Sequence, residues 1–396
     1  MSGQIPGGGC ALVHSGTVVG AAPGPAYRGR VVICRGRVSH TCPHDPVPVD
    51  AAGCLVSPGL VDIHVHGALG HDLTEAAPAA WQQALDAHLR AGTTTVLATL
   101  ASTSPARTAA ALATAAELLA GEEAPTLAGV HLEGPCLNRE QRGAHDPAHL
   151  RTAADVLDEL TPLPGALRMV TLAPELPGAD ELISYLTGHG VRVAAGHSAA
   201  TPADLARTRE LGMSHLAHLW SGQSALTRPA LHRIPGLLEA SLASDELTAE
   251  VIADGHHLPA ALLTIALRCL GPERLCLVSD ATAGTGLPPG SAFQTGASTG
   301  RVHDGYAATE DRTSLCGSVT PLAHTLARMR EMTGAPIADV VTMATATPAR
   351  AAGLYPLKGS LLPGADGDVV LLGPDLTVRT VVLRGHPYPG PWGGGR

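Results

Sequence analysis

Charged residues, aromatic residues and lysine are all scarce in this sequence of 396 residues. Charged side chains make up 15% of it, aromatic side chains make up 2%, and Lys358 is the sole lysine. No basic run occurs and the formal net charge is −9, so a nucleic-acid-binding surface, which needs clustered Lys and Arg, is not expected. No run of about 18 apolar residues is present, so the sequence predicts no membrane span.

The sequence has no paired cysteines, and its first residues predict no secretory signal. The eight cysteines form no CxxC pair, which in a chain of this size indicates scattered reduced thiols and not a disulfide framework. The opening MSGQIPGGGC has no basic segment followed by an apolar one, so we expect a cytoplasmic protein. Hydrophobic residues make up 45%, enough for the core of one large α/β barrel or of two to three average domains.

From residue 57 onward, apolar β-like runs alternate with Ala- and Leu-rich stretches of helical spacing. The eight runs are residues 60–66, 93–100, 127–134, 167–175, 191–198, 213–220, 247–255 and 274–282. Eight strands alternating with helices favour an α/β fold of the (β/α)8 TIM-like barrel type, with a doubly wound parallel sheet as the alternative. A long loop over 284–314, which could carry a hairpin, and helical stretches over 319–333 and 337–352 follow.

Short β-like pieces separated by Gly and Pro occupy both ends of the chain. They are residues 11–19, 30–38 and 53–56 before the barrel pattern and residues 359–363, 368–372 and 378–384 after it. We therefore expect a small β-sandwich domain built from residues 1–56 and 355–396, beside a catalytic barrel of residues 57–354. The final segment, 386–396, is predicted to be a loose tail.

The segment Asp62-Ile-His64-Val-His66 ends the first apolar run. Residues two apart in a strand point to the same face, so both imidazoles can reach one point in space. Imidazole pairs bind Zn²⁺ and other first-row divalent metals. Taken alone, the pattern also fits two histidines that are hydrogen-bonded at a strand end.

Side chains of types that bind metals also end four other apolar runs. Glu133 ends the third run, His197 the fifth, His218 the sixth and Asp280 the eighth. Barrel active sites lie at the C-terminal ends of the strands, and a buried strand end seldom carries an ionisable group without a partner. Six such side chains at five strand ends therefore predict one shared site. His131 shares a face with Glu133; it either supports the site or, the better interpretation, is a hydrogen-bonded core histidine.

Several of these segments resemble N-acetylglucosamine-6-phosphate deacetylases of the amidohydrolase superfamily. The resemblance spans about residues 50–385 and rests on PGLVDIHVHG, GVHLEGP, RGAH, AAGHS, IADGHH, LVSDAT and LLPGADGDVVLL. It implies a metal-dependent enzyme that hydrolyses N-acetylglucosamine 6-phosphate to glucosamine 6-phosphate and acetate. Many superfamily members bridge two metals with a carboxylated barrel lysine, which is excluded here because Lys358 lies outside the barrel pattern.

The resemblance also implies residue roles. A divalent ion held by Glu133, His197 and His218 would activate a water molecule, with Asp280 accepting its proton and returning one to the leaving amine. His145 of RGAH would donate a hydrogen bond to the amide carbonyl.

The first-strand pair, His64 and His66, would hold a second ion. Family members that lack one of these histidines are thought to use a single ion, so retention of both favours two ions here. Zn²⁺ is the expected metal, with Fe, Mn or Co as alternatives.

For the substrate phosphate, the resemblance points to His257 and to Arg233, the arginine reaching the site of the partner subunit in a homodimer. Arg228 competes with Arg233 for this role, and either arginine could instead be an ordinary surface residue. Ala144 is a further expected substrate contact.

The sequence departs from the family after the sixth strand. Where the family reads THLFNAM, this chain reads AHLWSGQ, so Ser221 replaces the asparagine that helps bind phosphate, and Gly222 would contribute its amide. Cys136 replaces the usual phenylalanine after Gly-Pro, which either opens space near the acyl group or repacks a loop.

These departures leave other substrates open, namely N-acetylgalactosamine 6-phosphate, an unphosphorylated N-acyl sugar or a biosynthetic intermediate. A hypothesis of another class is a catalytically silent barrel that serves binding or assembly. Such descendants usually lose metal ligands, and none of the expected ligands is missing here.

Overall fold

The computed structural model describes residues 8–20 and 26–389 of the chain. The strands are β1 (Ala11–Val18), β2 (Tyr27–Cys34), β3 (Arg37–Ser39), β4 (Val47–Asp50), β5 (Leu55–Pro58), β6 (Leu60–Val65), β7 (Gly67–Ala68), β8 (His71–Asp72), β9 (Thr93–Leu100), β10 (Leu127–Glu133), β11 (Leu167–Leu172), β12 (Arg192–Ala195), β13 (His215–Leu216), β14 (Thr248–Ile252), β15 (Leu275–Val278), β16 (Ala292–Thr295), β17 (Ser298–Val302), β18 (Ala307–Thr309), β19 (Val369–Leu372), β20 (Val378–Leu383) and β21 (His386–Pro389). The helices are α1 (Pro78–Arg90), α2 (Pro105–Ala120), α3 (Ala153–Glu159), α4 (Ala179–Gly188), α5 (Pro202–Glu210), α6 (Leu237–Leu242), α7 (Ala260–Leu270), α8 (Leu322–Thr333), α9 (Ile337–Met343) and α10 (Ala346–Ala351), with a short 3-10 turn at Pro147–His149.

Eight parallel strands, β6 and β9 to β15, pair in the order in which they occur along the chain. A bridge between Val65 and Ala281 joins the first of them to the segment after the last, so the sheet is nearly closed into a ring. A doubly wound sheet would show a reversal of strand order, and none occurs among these eight strands. The predicted (β/α)8 barrel is therefore confirmed.

The barrel interior is filled with apolar side chains. Val61, Leu97, Met169, Ile252 and Val278 come from five different barrel strands and belong to one buried cluster, which is possible only if they meet inside the ring. Residues of α10 join the same cluster, so this helix covers the end of the barrel at which the strands begin. The opposite end, where the strands finish, is left for polar side chains.

Helix starts follow local sequence signals. Ser104 precedes α2 and its hydroxyl accepts the N–H of Arg107, while Thr201 and Asp204 form a reciprocal capping box at the start of α5. The single helix predicted over 337–352 is instead two helices, α9 and α10, because the backbone leaves helical geometry at Thr345. The long eighth connection carries a three-stranded antiparallel sheet, β16 to β18, which is one strand more than a hairpin.

Strands from both chain ends form a second eight-stranded sheet in the order β21-β20-β19-β5-β1-β2-β3, with β4 paired to β1. Val38 near one edge and Val382 near the other belong to one apolar cluster, so the sheet curls over a core of its own, as in a small β-sandwich. Gly59 links this sheet to the barrel, and a Cβ at that position would collide with Thr94 on β9.

Three local predictions for the chain ends were wrong. The run 30–38 is broken by a turn at Arg35 and Gly36, both with positive φ, and forms the hairpin of β2 and β3. Residues 359–363 are not a strand but part of a turn beside Lys358, which is buried in ion pairs with Asp366 and Asp368. Part of the predicted tail is strand β21, paired to β20, whereas residues 390–396 lie outside the described residues.

None of the helices in the described ranges combines the length and the apolar character needed to cross a membrane.

Candidate active site

A cavity of about 360 Å³ opens at the end of the barrel where the strands finish. Its lining includes side chains from the barrel strand ends, from the loop after β10 and from the segment after β18. Among the residues predicted from the sequence, it is lined by His66, Glu133, Ala144, His145, His197, His218, Ser221, Gly222, His257 and Asp280. The sequence-based choice of strand ends therefore selected residues that do lie together.

Glu133, at the end of β10, is the centre of this cluster. The Nε2 atoms of five histidines approach its carboxylate, at 3.3 Å for His64, 3.4 Å for His66, 3.2 Å for His145, 3.1 Å for His197 and 2.8 Å for His218. Ligand atoms of His64, His66 and Glu133 lie within 4.8 Å of one another, as do those of Glu133, His197 and His218. These two sets, which share Glu133, could each hold a metal ion.

Two of the strand-end residues have unusual backbone conformations. His197 has φ of 47° and Asp280 has φ of 50°, in the left-handed region that non-glycine residues seldom adopt. Each lies two residues beyond the last residue of its strand, β12 or β15, where the chain turns away from the barrel. Such strain is often found at functional sites, where the surrounding structure holds a side chain in one orientation.

The orientation of His64 shows whether a metal fits this cluster. Its Nδ1–H donates to Glu250 Oε2 at 2.9 Å, which leaves Nε2 as the ring nitrogen that faces the cluster. Nε2 is buried without a hydrogen-bond partner and faces Glu133 Oε1 at 3.3 Å and Asp280 Oδ1 at 3.6 Å. Burial disfavours a charge on His64, but the carboxylates of Glu250 and Glu133 raise its pKa well above the usual value, so positive charge is favoured at this position. A divalent ion would supply that charge in place of the proton, so the donor set fits a divalent ion.

His197 is fixed in the same way. Its Nδ1–H donates to the carbonyl oxygen of Gln141 at 2.9 Å, which leaves Nε2 directed at Glu133 Oε1 at 3.1 Å. Gly222 allows this arrangement, because it has φ of 77° and a Cβ there would lie 2.8 Å from His197 Nδ1 and 2.7 Å from the Gln141 oxygen. The glycine next to Ser221 is thus required by packing, whatever it contributes to substrate binding.

Glu250 was missed by the sequence interpretation. It lies within β14, fully buried, and besides His64 it accepts from His215 Nε2 at 3.1 Å and from the His218 backbone N–H at 3.1 Å. Burial opposes its ionisation, but the charges and hydrogen bonds of His64 and His215 hold the pKa of Glu250 well below its usual value. A carboxylate in an otherwise apolar run was the signal that could have revealed it.

We expect Glu250→Gln to weaken metal binding by His64 about 10–100-fold, the usual effect of losing an outer-shell partner. The amide still accepts one hydrogen bond, but its NH₂ group opposes the donor on His64 or on His215. Metal per chain, measured against free metal concentration, tests this expectation. Glu122→Gln makes the same chemical change at an exposed position and should bind metal as the parent does; equal binding by both variants would refute the role of Glu250.

Asp280 is suited to accept a proton, whereas His145 is suited to donate a hydrogen bond. Burial favours the neutral acid of Asp280, but the hydrogen bond from His66 and the charges of His64 and His66 lower its pKa, so it is ionised and can accept a proton. His145 Nδ1 accepts the Ser102 backbone N–H at 3.3 Å, so in the neutral ring Nε2 carries the hydrogen. Burial lowers the pKa of His145, which keeps it a neutral hydrogen-bond donor that lines the cavity.

His131 is the core histidine that the sequence favoured. Its two ring nitrogens bond the Ile63 carbonyl oxygen at 2.9 Å and Thr171 Oγ1 at 2.7 Å. Burial lowers its pKa to about 3.

The predicted phosphate ligands are not brought together within one chain. His257 lines the cavity, and its Nδ1 donates to Asp254 Oδ2 at 2.8 Å. Arg228 and Arg233 instead lie on an exposed arm, residues 225–235, whose two sides pair through Thr227 and Ile234. No arginine or lysine occurs among the described residues that line the cavity. Cys136 is buried in the main apolar core and does not line the cavity either.

The amidohydrolase family model matches residues 55–387, most of the chain. The chain belongs to the amidohydrolase family. This amidohydrolase is 33% identical to the N-acetylgalactosamine-6-phosphate deacetylase of Escherichia coli O157:H7, over 86% of this chain and 90% of that one. It is 31% identical to the N-acetylglucosamine-6-phosphate deacetylase of Bacillus subtilis (strain 168), over 85% of each chain.

Solved structures give the same result. An N-acetylglucosamine-6-phosphate deacetylase mutant from Mycobacterium smegmatis, in complex with N-acetyl-D-glucosamine-6-phosphate, superposes with a TM-score of 0.85 at 30% identity. The match covers 96% of this chain and 99% of that one. The resemblance noted in the sequence is confirmed, and the amidohydrolase is a hydrolytic enzyme and not a silent barrel.

Proposed function

We propose that this amidohydrolase hydrolyses the N-acetyl amide of N-acetylglucosamine 6-phosphate to give glucosamine 6-phosphate and acetate. The observation that carries the proposal is one cavity lined by an ionised carboxylate, Asp280, a neutral imidazole donor, His145, and a cluster of metal-type ligands. The names of the relatives from Bacillus subtilis and Mycobacterium smegmatis support the same reaction.

Five side chains of the cluster are proposed as metal ligands. Glu133, His197 and His218 would hold one divalent ion, and His64 and His66 would hold a second, with Zn²⁺ favoured and Fe, Mn or Co as alternatives. When bound, such an ion supplies Lewis acidity at the amide carbonyl and lowers the pKa of water.

Proton transfer belongs to two further residues. Asp280 takes the proton of the attacking water and returns a proton to the departing amine, so that the free amine and acetate leave. The Nε2–H of His145 donates to the amide oxygen as negative charge develops on it.

A panel of N-acetyl amino sugars tests the function directly. It should contain N-acetylglucosamine and N-acetylgalactosamine, each with and without a 6-phosphate, with free amine measured as product. The proposal requires the highest kcat/KM on N-acetylglucosamine 6-phosphate. Preference for N-acetylgalactosamine 6-phosphate, the substrate named for the Escherichia coli relative, or for an unphosphorylated sugar would replace it with the alternative that the Ser221 segment raised.

The arm at 225–235 supports a homodimer in which Arg233 reaches the partner's cavity. Leu231 is 85% exposed, and Leu226 and Ile234 are about half exposed, so three large apolar side chains lie on one projecting segment. A phosphorylated substrate fits a cytoplasmic location, which we also propose.

Arg233→Ala should raise KM for the 6-phosphate about tenfold to a hundredfold, as expected for a lost charge-assisted hydrogen bond. Hydrolysis of the unphosphorylated sugar should hardly change. Arg228→Ala, the competing candidate on the same exposed arm, should leave KM unchanged if Arg233 has the phosphate role. Mixing Arg233→Ala with Asp280→Asn chains should partly restore activity if the arginine acts across subunits. An equal loss on both substrates would remove the phosphate role from Arg233.

A further inference from the structure

Three cysteines that are far apart in the sequence meet at one corner of the sheet built from the chain ends. Cys10 precedes β1, Cys34 ends β2, and Cys42 lies in the loop between β3 and β4. The antiparallel register of β1 with β2 pairs Ala11 with Ile33 and so brings Cys10 and Cys34 to the same corner. We call these three residues the thiol cluster.

The sulfur atoms of the thiol cluster form a compact triangle. All three Sγ atoms lie within 4.8 Å of one another, and those of Cys34 and Cys42 are 2.9 Å apart. Each cysteine is partly exposed, so an ion from solvent can reach the sulfur atoms. None of the three lines the catalytic cavity.

The surroundings of the thiol cluster favour one thiolate, on Cys42. The backbone N–H of Arg35 donates to Cys10 Sγ at 3.4 Å, and the guanidinium of Arg35 is held beside the loop by a hydrogen bond to His44 Nε2 at 3.1 Å. The hydrogen bond between Cys34 and Cys42 lowers the pKa of Cys42 against the opposing effect of burial, with smaller contributions from the His44 backbone and the Arg35 charge, and the same bond raises the pKa of Cys34 to about 11. A thiolate is the form of cysteine that binds metals.

We propose that the thiol cluster binds a thiophilic metal ion, Zn²⁺, through the three sulfur atoms of Cys10, Cys34 and Cys42. Zn²⁺ binds thiolate sulfur at about 2.3 Å, which sets the sulfur atoms about 3.8 Å apart in a tetrahedral site. The Sγ atoms of Cys34 and Cys42 have to separate by about 1 Å to reach this spacing, the two distances to Cys10 already lie within 4.8 Å, and solvent fills the fourth position. Each thiol that binds releases one proton to solvent, and no electron is transferred.

The chemistry of the ligands separates this site from the catalytic one. The metal-type residues of the cavity are carboxylates and imidazoles, without a thiol, so only the thiol cluster gives a thiolate-to-metal charge-transfer band with Co²⁺. Co²⁺ is therefore the probe, added to the full chain after chelator treatment in a phosphine reductant. Zn²⁺ per chain is measured in parallel, after removal of loosely bound metal.

The proposal predicts a charge-transfer band in the parent protein and its loss in Cys34→Ser, Cys10→Ser and Cys42→Ser. Each variant should hold one Zn²⁺ fewer than the parent, while hydrolysis of the substrate stays unchanged and shows that the barrel is folded. Cys269→Ser, which removes an exposed cysteine of α7 outside the thiol cluster, should keep both the band and the ion.

Two results would overturn the proposal. The first is a parent protein that lacks the band, or a band that all three variants retain. The second is a measured protein mass that, even in reductant, is lower by two hydrogens than the mass of the fully reduced chain. A Cys34–Cys42 disulfide would then occupy the sulfur atoms in place of a metal.

Discussion

Replacement of Asp280 by asparagine is expected to leave a folded protein that keeps its metal but loses about 10²–10⁴-fold in kcat. Asparagine matches the shape of aspartate, and the backbone N–H of residue 280 still donates to the His64 carbonyl oxygen at 3.0 Å, so the turn after β15 is kept. Asparagine can neither take a proton from water nor return one to the amine. Steady-state kinetics together with metal analysis tests the prediction.

The matched control for Asp280→Asn is Asp245→Asn, which makes the same change at an exposed position. The control should retain the parent kcat. If Asp280→Asn turned over at the parent rate with its metal in place, another group would have to move the proton.

Glu133→Gln is expected to remove the metal altogether, with a loss of affinity larger than the 10–100-fold typical of outer-shell partners. The carboxylate of Glu133 is shared by both candidate ligand sets. Burial favours its neutral acid form, but the histidines around it, above all His64 and His145, hold the pKa of Glu133 well below the usual value. A neutral amide provides neither the charge nor the second oxygen ligand. Metal per chain and activity after metal addition are the measurements.

Two further variants test whether the complete loss of metal is specific to Glu133. His64→Asn should lose at most one ion, because the set of Glu133, His197 and His218 stays intact. Glu117→Gln, an exposed substitution on α2, should lose none. Full loading of Glu133→Gln would contradict the ligand assignment.

The barrel and most of the cavity could be predicted because each depends on local patterns. Alternating apolar runs define the strands, and parallel strands end at the same face, so Glu133, His197, His218 and Asp280 had to lie near one another. Glu250 follows from the same reasoning about buried charges, yet it lies in mid-strand and was overlooked because only strand ends were considered.

Other features depend on contacts that no local pattern encodes. The thiol cluster arises from the pairing of β1 with β2 and from the course of the next loop, and the spacing of its cysteines resembles no metal motif. Strand β21 was read as tail because its Pro and Gly neighbours suggest a turn, whereas pairing to β20 determines its structure. The position of Arg233 relative to a substrate depends on a second chain.

The sheet built from both chain ends has a consequence for synthesis on the ribosome. Strand β5 pairs with β19, and the residue paired with Pro58 is Val369, which is translated only after the whole barrel. The interval between the synthesis of the two strands is roughly 15–60 s at ordinary elongation rates. During that interval β5 presents an open strand edge to other nascent chains, a known route to misassembly. The barrel can close around its own core in the meantime, so we expect the joining of the two chain ends to be the last folding step.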